Sequence, residues 1–220
     1  MCYNNIGDRM RLRNVKGAKE KIESSKYIVL NYKELKGQYQ TLFNNNNNPI
    51  YIEIGMGKGM FIVENAKRYP DINFIGIEKF DSVIVRAIEK IEEEDIPNLR
   101  LIRMDATEIE EVFRQEIDTI YLNFSDPWPK VRHAHRRLSS QVFLKRYDSV
   151  FKDVKRIVMK TDNRHLFEYS LKEFTDYGYT IDNVCLDVYQ EKLEDNIPTE
   201  YEMKFSNKGF PIYMLDVSKR

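Results

Sequence analysis

At 220 residues, 42% hydrophobic and 32% charged, the chain is long enough for one substantial domain with a continuous core, and its composition lies in the ordinary globular range. No stretch approaches the roughly 18 consecutive apolar residues of a membrane span, and the polar start MCYNNIGDRMRLR lacks the apolar core of a secretory signal, so a cytoplasmic protein with no membrane partner is expected. A formal net charge of zero argues against indiscriminate coating of nucleic acid, yet it conceals an uneven distribution.

The unevenness begins at the N-terminus. Arg9, Arg11, Arg13, Lys16, Lys19, Lys21 and Lys26 stand against only Glu20 and Glu23. Met1 to Gly7 reads as unstructured, which makes Met10 a second candidate for the functional start. The low-complexity run NNNNNP, residues 44–49, favours turns and blocks helix, so it marks a flexible boundary between a basic tail and lead-in, 1–44, and the main domain, 45–220.

Beyond the Asn run, apolar segments recur in the rhythm of strands alternating with helices. In chain order they are a strand in PIYIEIGMG, a helix over Met60 to Tyr69, a strand in INFIGIEKF, a helix over Asp81 to Glu93, and strands in LRLIRMDA and DTIYLNFSDP. A helix over Phe143 to Val150, a strand in KRIVMKTDN and a helix over Phe167 to Phe174 follow. Tyr179 to Val188 and Pro211 to Val217 then read as a closing hairpin around a long loop, Tyr189 to Gly209, that lacks helical period. Repeated strand, helix, strand predicts an α/β doubly wound parallel sheet. Cys2 and Cys185 sit in no metal-ligand or CxxC spacing, so plain thiols and no metal are expected.

Glycines 55, 57 and 59 lie between the first strand and the first helix, where they allow a tight turn and close backbone approach to a bound cofactor. That pattern alone would serve a dinucleotide equally well. The acids discriminate better: Glu53 lies within the first strand motif, Glu78 ends INFIGIE, Asp105 ends LIRMD and Asp126 follows YLNFS. Strand C-termini line the ligand crevice of an open parallel sheet, so these four carboxylates face one site. Such a pocket suits a cationic ligand like S-adenosylmethionine and repels a pyrophosphate.

After Asp126 come Pro127, Trp128 and Pro129, whose rings stiffen the loop and bias the residues before them toward extended geometry. Trp128 either stacks on an unstacked base or packs beneath the loop. Lys130, Arg132, His133, His135, Arg136 and Arg137 form an acid-free run suited to RNA phosphates. His165, after KTDNR, reads as a cap or surface residue. The stretch IPTEYEMKF, 197–205, reads from its residues alone as a turn and an edge strand.

EIGMGKG, GIEKF, MDA, NFSDPWPKVRHAHRR, KTDN and TEYEMKF stand in the order and approximate spacing found in bacterial tRNA (guanine-N7)-methyltransferases, which the chain resembles from about Ile50 to its C-terminus. The resemblance implies the Rossmann-like class I methyltransferase fold, with a seven-stranded, mostly parallel sheet, an antiparallel last strand and helices on both faces. It implies S-adenosylmethionine as cofactor, with Glu53, Gly55, Gly57, Gly59, Glu78, Asp105, Ala106 and Asp126 around it and Asp126 also catalytic. Lys130, Asp162, Thr199, Glu200, Tyr201 and Glu202 are implied as substrate contacts, and tRNA as the partner, methylated at the variable-loop guanine of position 46. Both monomers and homodimers occur among similar enzymes.

Guanine N7 carries a free lone pair at neutral pH, so such a reaction asks for positioning more than for a base, an effect of roughly 7 to 11 kcal/mol in ideal intramolecular cases. Asp126, Asp162 or both would accept hydrogen bonds from the guanine edge and oppose the positive charge that develops. Three other readings share the sequence: methylation of an exocyclic base amine, a nicotinamide-dependent oxidoreductase using the same glycine loop, and a noncatalytic RNA-binding partner that retains the fold.

Overall fold

The structure, a computed structural model, describes residues 17–220. Arg9, Arg11, Arg13, Lys16, Cys2 and the candidate start Met10 lie outside the described residues. The elements in chain order are α1 (Ala18–Ser24), β1 (Ile50–Ile54), α2 (Met60–Arg68), β2 (Asn73–Glu78), α3 (Asp81–Ile91), β3 (Leu99–Arg103), α4 (Ile109–Val112), β4 (Ile117–Asn123), α5 (Gln141–Tyr147), β5 (Phe151–Thr161), α6 (Arg164–Asp176), β6 (Thr180–Cys185), α7 (Glu200–Ser206) and β7 (Tyr213–Lys219). Short 3-10 turns cover Tyr39–Phe43, Ala106–Glu108 and Val131–Arg136.

All seven strands share one sheet in the order β3-β2-β1-β4-β5-β7-β6. The first five are parallel to one another, and β7 runs antiparallel to both β5 and β6. Chain order reverses between β1 and β4, which opens a crevice at the C-terminal ends of those strands.

Alternation along the strands divides the core into two layers. Ile52, Ile54, Ile75, Ile120 and Met159 meet α4, α5 and α6 on one face, while Phe74, Leu99 and Leu101 meet α1, α2 and α3 on the other. Helices thus cover both faces, and β1 to β5 are the five strands expected from the apolar runs.

The segment before the Asn run packs against this sheet. Leu101 N donates to Tyr27 O at 2.8 Å and Val29 N to Leu101 O at 3.0 Å, so residues 27–29 cover the open edge of β3. The Glu116 carboxylate accepts from Gly37 N at 2.9 Å and Tyr39 N at 3.0 Å, and Tyr27, Tyr39 and Phe43 are buried. The run itself turns as its composition predicts, with Asn44, Asn45 and Asn47 at positive φ, and the Asn46 and Asn73 side chains exchange two hydrogen bonds of 3.0 and 2.8 Å.

One expectation fails in the last third. The stretch 189–209 is not wholly loop, and TEYEMKF is not an edge strand: Glu200–Ser206 is helical. Its cause is local, a capping box in which the Thr199 hydroxyl accepts from Glu202 N at 2.9 Å while the Glu202 carboxylate accepts from Thr199 N at 3.4 Å.

Candidate active site

A cleft of about 620 Å³ opens at the reversal of chain order, lined by Gly55, Glu78, Phe80, Asp105, Ala106, Phe124, Asp126, Trp128, His135, Arg136 and Arg146 among others. Gly55, Gly57 and Gly59 all take positive φ, and Gly59 serves as the N-cap of α2 at φ 80°. A Cβ at Gly59 would lie 3.0 Å from the Ala87 Cβ, so the turn can sit this close to α3 only with glycine there.

Glu78 ties the glycine turn to the loop after β2. Its carboxylate accepts from Gly57 N at 3.1 Å, Lys79 N at 2.8 Å and Phe80 N at 3.0 Å. Burial raises its pKa, and these three bonds act against that rise. A carboxylate at the glycine turn takes up the Gly57 N–H that a pyrophosphate would need. Asp105 accepts from Thr107 N and Oγ1 at 2.9 and 2.8 Å and pairs with Lys79 Nζ at 2.5 Å. Burial opposes its ionisation, but Lys79 and Thr107 outweigh it and hold the carboxyl below its usual range.

Glu53 stands apart from the other acids. Its side chain does not line the cleft but is buried beneath the turn, 1% exposed, accepting from Asn123 Nδ2 at 2.8 Å. Glu53 Oε2 and Asn123 Oδ1 are buried acceptors without a protein partner. Burial pushes the Glu53 pKa up to about 7. Because that value lies above the unfolded one, the contribution of Glu53 to stability is fully present below pH 4.5 and is lost as pH rises through 7. Glu53→Gln is therefore expected to flatten the fall in unfolding free energy across this window and to leave the variant more stable than the parent at about pH 8, by on the order of 3 kcal/mol. Urea titrations across the window check this; parallel curves for the two proteins would contradict it.

At the C-terminal end of β4 the backbone is strained. Phe124 has φ 51° and Trp128 φ 39°, in a region that non-glycine residues rarely enter. The expectation that Pro129 makes Trp128 extended is thus overturned. Trp128 is not core either: half-buried, it faces the cleft with the Arg136 guanidinium 5.0 Å from its ring centre and His133 beside it. Asp126 is exposed at the cleft wall.

The basic run divides in two. Lys130, Arg132, His135 and Arg136 are exposed on one turn. Arg137, expected on phosphate with them, turns inward and donates to Pro127 O at 2.9 Å and Trp128 O at 3.0 Å. If the exposed run grips RNA, Lys130→Ala and Arg132→Ala each lower the slope of log affinity against log salt by about 1. Filter binding of tRNA across a salt series measures the slopes, and an unchanged slope in both variants would remove these residues from the interface.

The remaining candidates gather on a second wall. Phe124 N donates to Lys160 O at 2.8 Å, and the Phe124 ring lies 5.0 Å from Tyr201, which stacks on Phe205 at 4.1 Å. Tyr201 OH reaches Asp162 at 3.5 Å, and burial raises the Asp162 pKa. Glu200 pairs with Lys90. Glu202, expected to read the base, is fully buried, accepting from Lys160 Nζ at 2.5 Å and Asn196 Nδ2 at 2.7 Å, so in this arrangement it has no atom facing the cleft. Thr199 is likewise engaged in the capping box. His165 is exposed, as expected for a surface residue.

Sequence reasoning passed over Lys79, Phe80, Phe124, Arg146 and Lys160. Lys79 and Phe80 follow a strand-end acid and Phe124 precedes one, a proximity that would have flagged them; nothing local to Arg146 does so. Chemically, the cleft has two sides. Acids at the ends of β2 and β3 suit a ligand rich in hydrogen-bond donors and positive charge, and the basic turn opposite suits phosphate. Among the described residues no cluster of His, Cys, Asp or Glu has metal-site geometry.

A family model described as "Putative methyltransferase" matches residues 47–215. A tRNA (guanine-N(7)-)-methyltransferase of Listeria monocytogenes serotype 4a is 51% identical over 209 residues, covering 94% of this chain and 97% of the relative. One from Lachnoclostridium phytofermentans is 50% identical over 208 residues, with the same coverage of 94% and 97%. Among solved structures, an antibiotic-related methyltransferase superposes with a TM-score of 0.64 at 19% identity, covering 94% of this chain and 98% of that one. The 16S rRNA methyltransferase KamB gives 0.61 at 12%, covering 83% and 92%. At these identities the two structures share the fold.

Proposed function

The chain belongs to the tRNA (guanine-N7)-methyltransferase family, S-adenosylmethionine-dependent enzymes, and on that premise we propose that the guanine it methylates is the one at position 46 of the variable loop. The observation that carries the site assignment is the two-sided cleft, with Glu78 and Asp105 at the strand ends, Asp126 on the wall between, and Lys130, Arg132 and Arg136 on the turn beside it. Membership in this family sets aside the nicotinamide reading.

The residues fit the cofactor. Glu78, Asp105, Ala106 and the Gly55 turn line the cleft, and the unpartnered Glu53 Oε2 lies buried beneath that turn. S-adenosylmethionine supplies an electrophilic methyl group when bound. Glu78 and Asp105 offer acceptors to hydroxyl and amine donors, and Glu53 offers an unpartnered carboxyl oxygen close to the glycine turn. Phe80, half exposed at the cleft, offers an aromatic wall.

On the substrate side, guanine N7 has no proton to lose. Asp126 is therefore asked to orient the base and to oppose the positive charge it acquires, and Asp162 supports the same edge from the end of β5. Tyr201 and Phe124 present aromatic faces next to Asp162, which suits an unstacked base. Lys130, Arg132 and Arg136 hold the flanking phosphates. As an enzyme of tRNA the protein is assigned to the cytoplasm.

The test is methyl transfer from labelled S-adenosylmethionine to unmodified tRNA and to a transcript with adenine at position 46. Incorporation into the first and none into the second is expected. Equal incorporation would overturn the position.

A further inference from the structure

Resting on that functional reading, we infer that Arg137 is a positioning residue that locks the Asp126 to Pro129 turn in its strained shape, and that it makes no contact with RNA. Two facts make the turn hard to hold. Trp128 takes a positive φ, a conformation that a bulky residue keeps only when its surroundings over-determine it. Pro127 and Pro129 lack an N–H, so the turn lacks two of the donors through which loops bond to themselves.

The Arg137 guanidinium supplies what the turn lacks. Nε donates to Pro127 O at 2.9 Å and Nη2 to Trp128 O at 3.0 Å, two consecutive carbonyls caught in one planar fork. The fork in turn lies over the Tyr169 ring of α6, 4.1 Å from its centre. The arginine's own backbone is fixed at both ends: Arg137 N donates to Ala134 O at 3.0 Å, and Ser140 N donates to Arg137 O at 2.9 Å. Arg137 thus couples the loop that carries Asp126 to α6 and to the start of α5. It is half-buried, whereas Arg132 and Arg136 of the same run are exposed.

This arrangement also separates two functions that look alike in the sequence. The exposed cations of the run face solvent and serve phosphate. Arg137, next to Arg136 in the chain, serves the geometry of the residue on which the reaction depends. Lysine is a poor replacement, because one ammonium on a flexible stem cannot reproduce a fixed fork on two carbonyls.

Trp128 is the only tryptophan, so its fluorescence reports on this turn without labelling. We compare Arg137→Lys and Arg137→Ala with Arg132→Ala. Both Arg137 variants are expected to shift or quench Trp128 emission and to lower kcat tenfold or more, with KM for tRNA and its salt dependence near the parent values. Arg132→Ala should raise KM and lower its salt dependence while leaving Trp128 emission unchanged. Tyr169→Leu removes the surface under the guanidinium and should reproduce the Arg137 pattern in weaker form, which keeps the test open if Arg137→Ala fails to fold. Unchanged emission in Arg137→Lys together with a raised, less salt-dependent KM would make Arg137 a phosphate contact and overturn the inference. If the parent protein methylates no tRNA, the functional reading fails, while the emission of the Arg137 and Tyr169 variants still decides whether the clamp exists.

Discussion

Asp126→Ala is expected to lose turnover by about a hundredfold or more, on the scale found when one preorganised electrostatic contact is removed from a transition state. The same variant should keep its thermal midpoint. Asp126 is exposed at the rim, and its carboxylate takes part in no protein hydrogen bond or ion pair within the described residues, so its removal leaves no buried group without a partner. Asp126→Asn keeps shape and acceptor but loses the charge. If the charge is what the reaction uses, it falls nearly as far as alanine, whereas a variant near parental activity would show that acceptor geometry alone suffices. Steady-state rates at saturating tRNA, with calorimetry of each variant, check both statements. Full activity in Asp126→Ala would dismiss the assignment.

Lys160→Met is expected to cost stability instead, by about 3 to 5 kcal/mol, the range found when one partner of a buried ion pair is removed. Lys160 and Glu202 are 4% and 0% exposed, and Lys160 Nζ also donates to Asn196 Oδ1 at 3.0 Å and Ile197 O at 2.8 Å. Burial pulls the Lys160 pKa down, and Glu202 acts against that pull. Without the lysine, the Glu202 charge is left in the interior, and Glu53 loses the cation that favours its ionised form. For a domain of this size the midpoint should fall by on the order of 10 °C. The double variant Lys160→Met with Glu202→Met removes the stranded charge and should regain much of the loss. A loss under about 1 kcal/mol in the single variant would mean that water reaches the pair and that α7 is not anchored through it.

The parallel strands were legible because β-branched and apolar runs of strand length, each with an acid at or near its C-terminal end, leave little else for those segments to be. The capping of α7 was written in the sequence as Thr199 and Glu202, but seven residues are too few for a helical period, and the capping box was the only signal. Residues 27–43 hold no period at all. Their aromatic residues reach the core one at a time, which only the folded arrangement reveals.

The candidate site was legible as a set of residue types more than as a set of directions. Glu78, Asp105 and Asp126 converge on the cleft as strand-end logic requires. Glu53 lies between Ile52 and Ile54, whose side chains enter one core layer, so its carboxyl stands on the opposite face of the sheet and not at the cleft, because successive strand residues face opposite sides. Arg137 and Glu202 carry the right charges for RNA and base, yet both are turned inward by carbonyls and a lysine that come from other parts of the chain. Charge is a property of the residue, whereas direction is a property of the fold.

Mapping the modified nucleotide tests the assigned reaction most directly. Unmodified tRNA is incubated with the protein and S-adenosylmethionine, digested with a base-specific nuclease and sequenced by mass spectrometry. A single added methyl is expected, on the variable-loop fragment, at N7 of its guanine. A methyl on another atom or another fragment, or none at all, would contradict it.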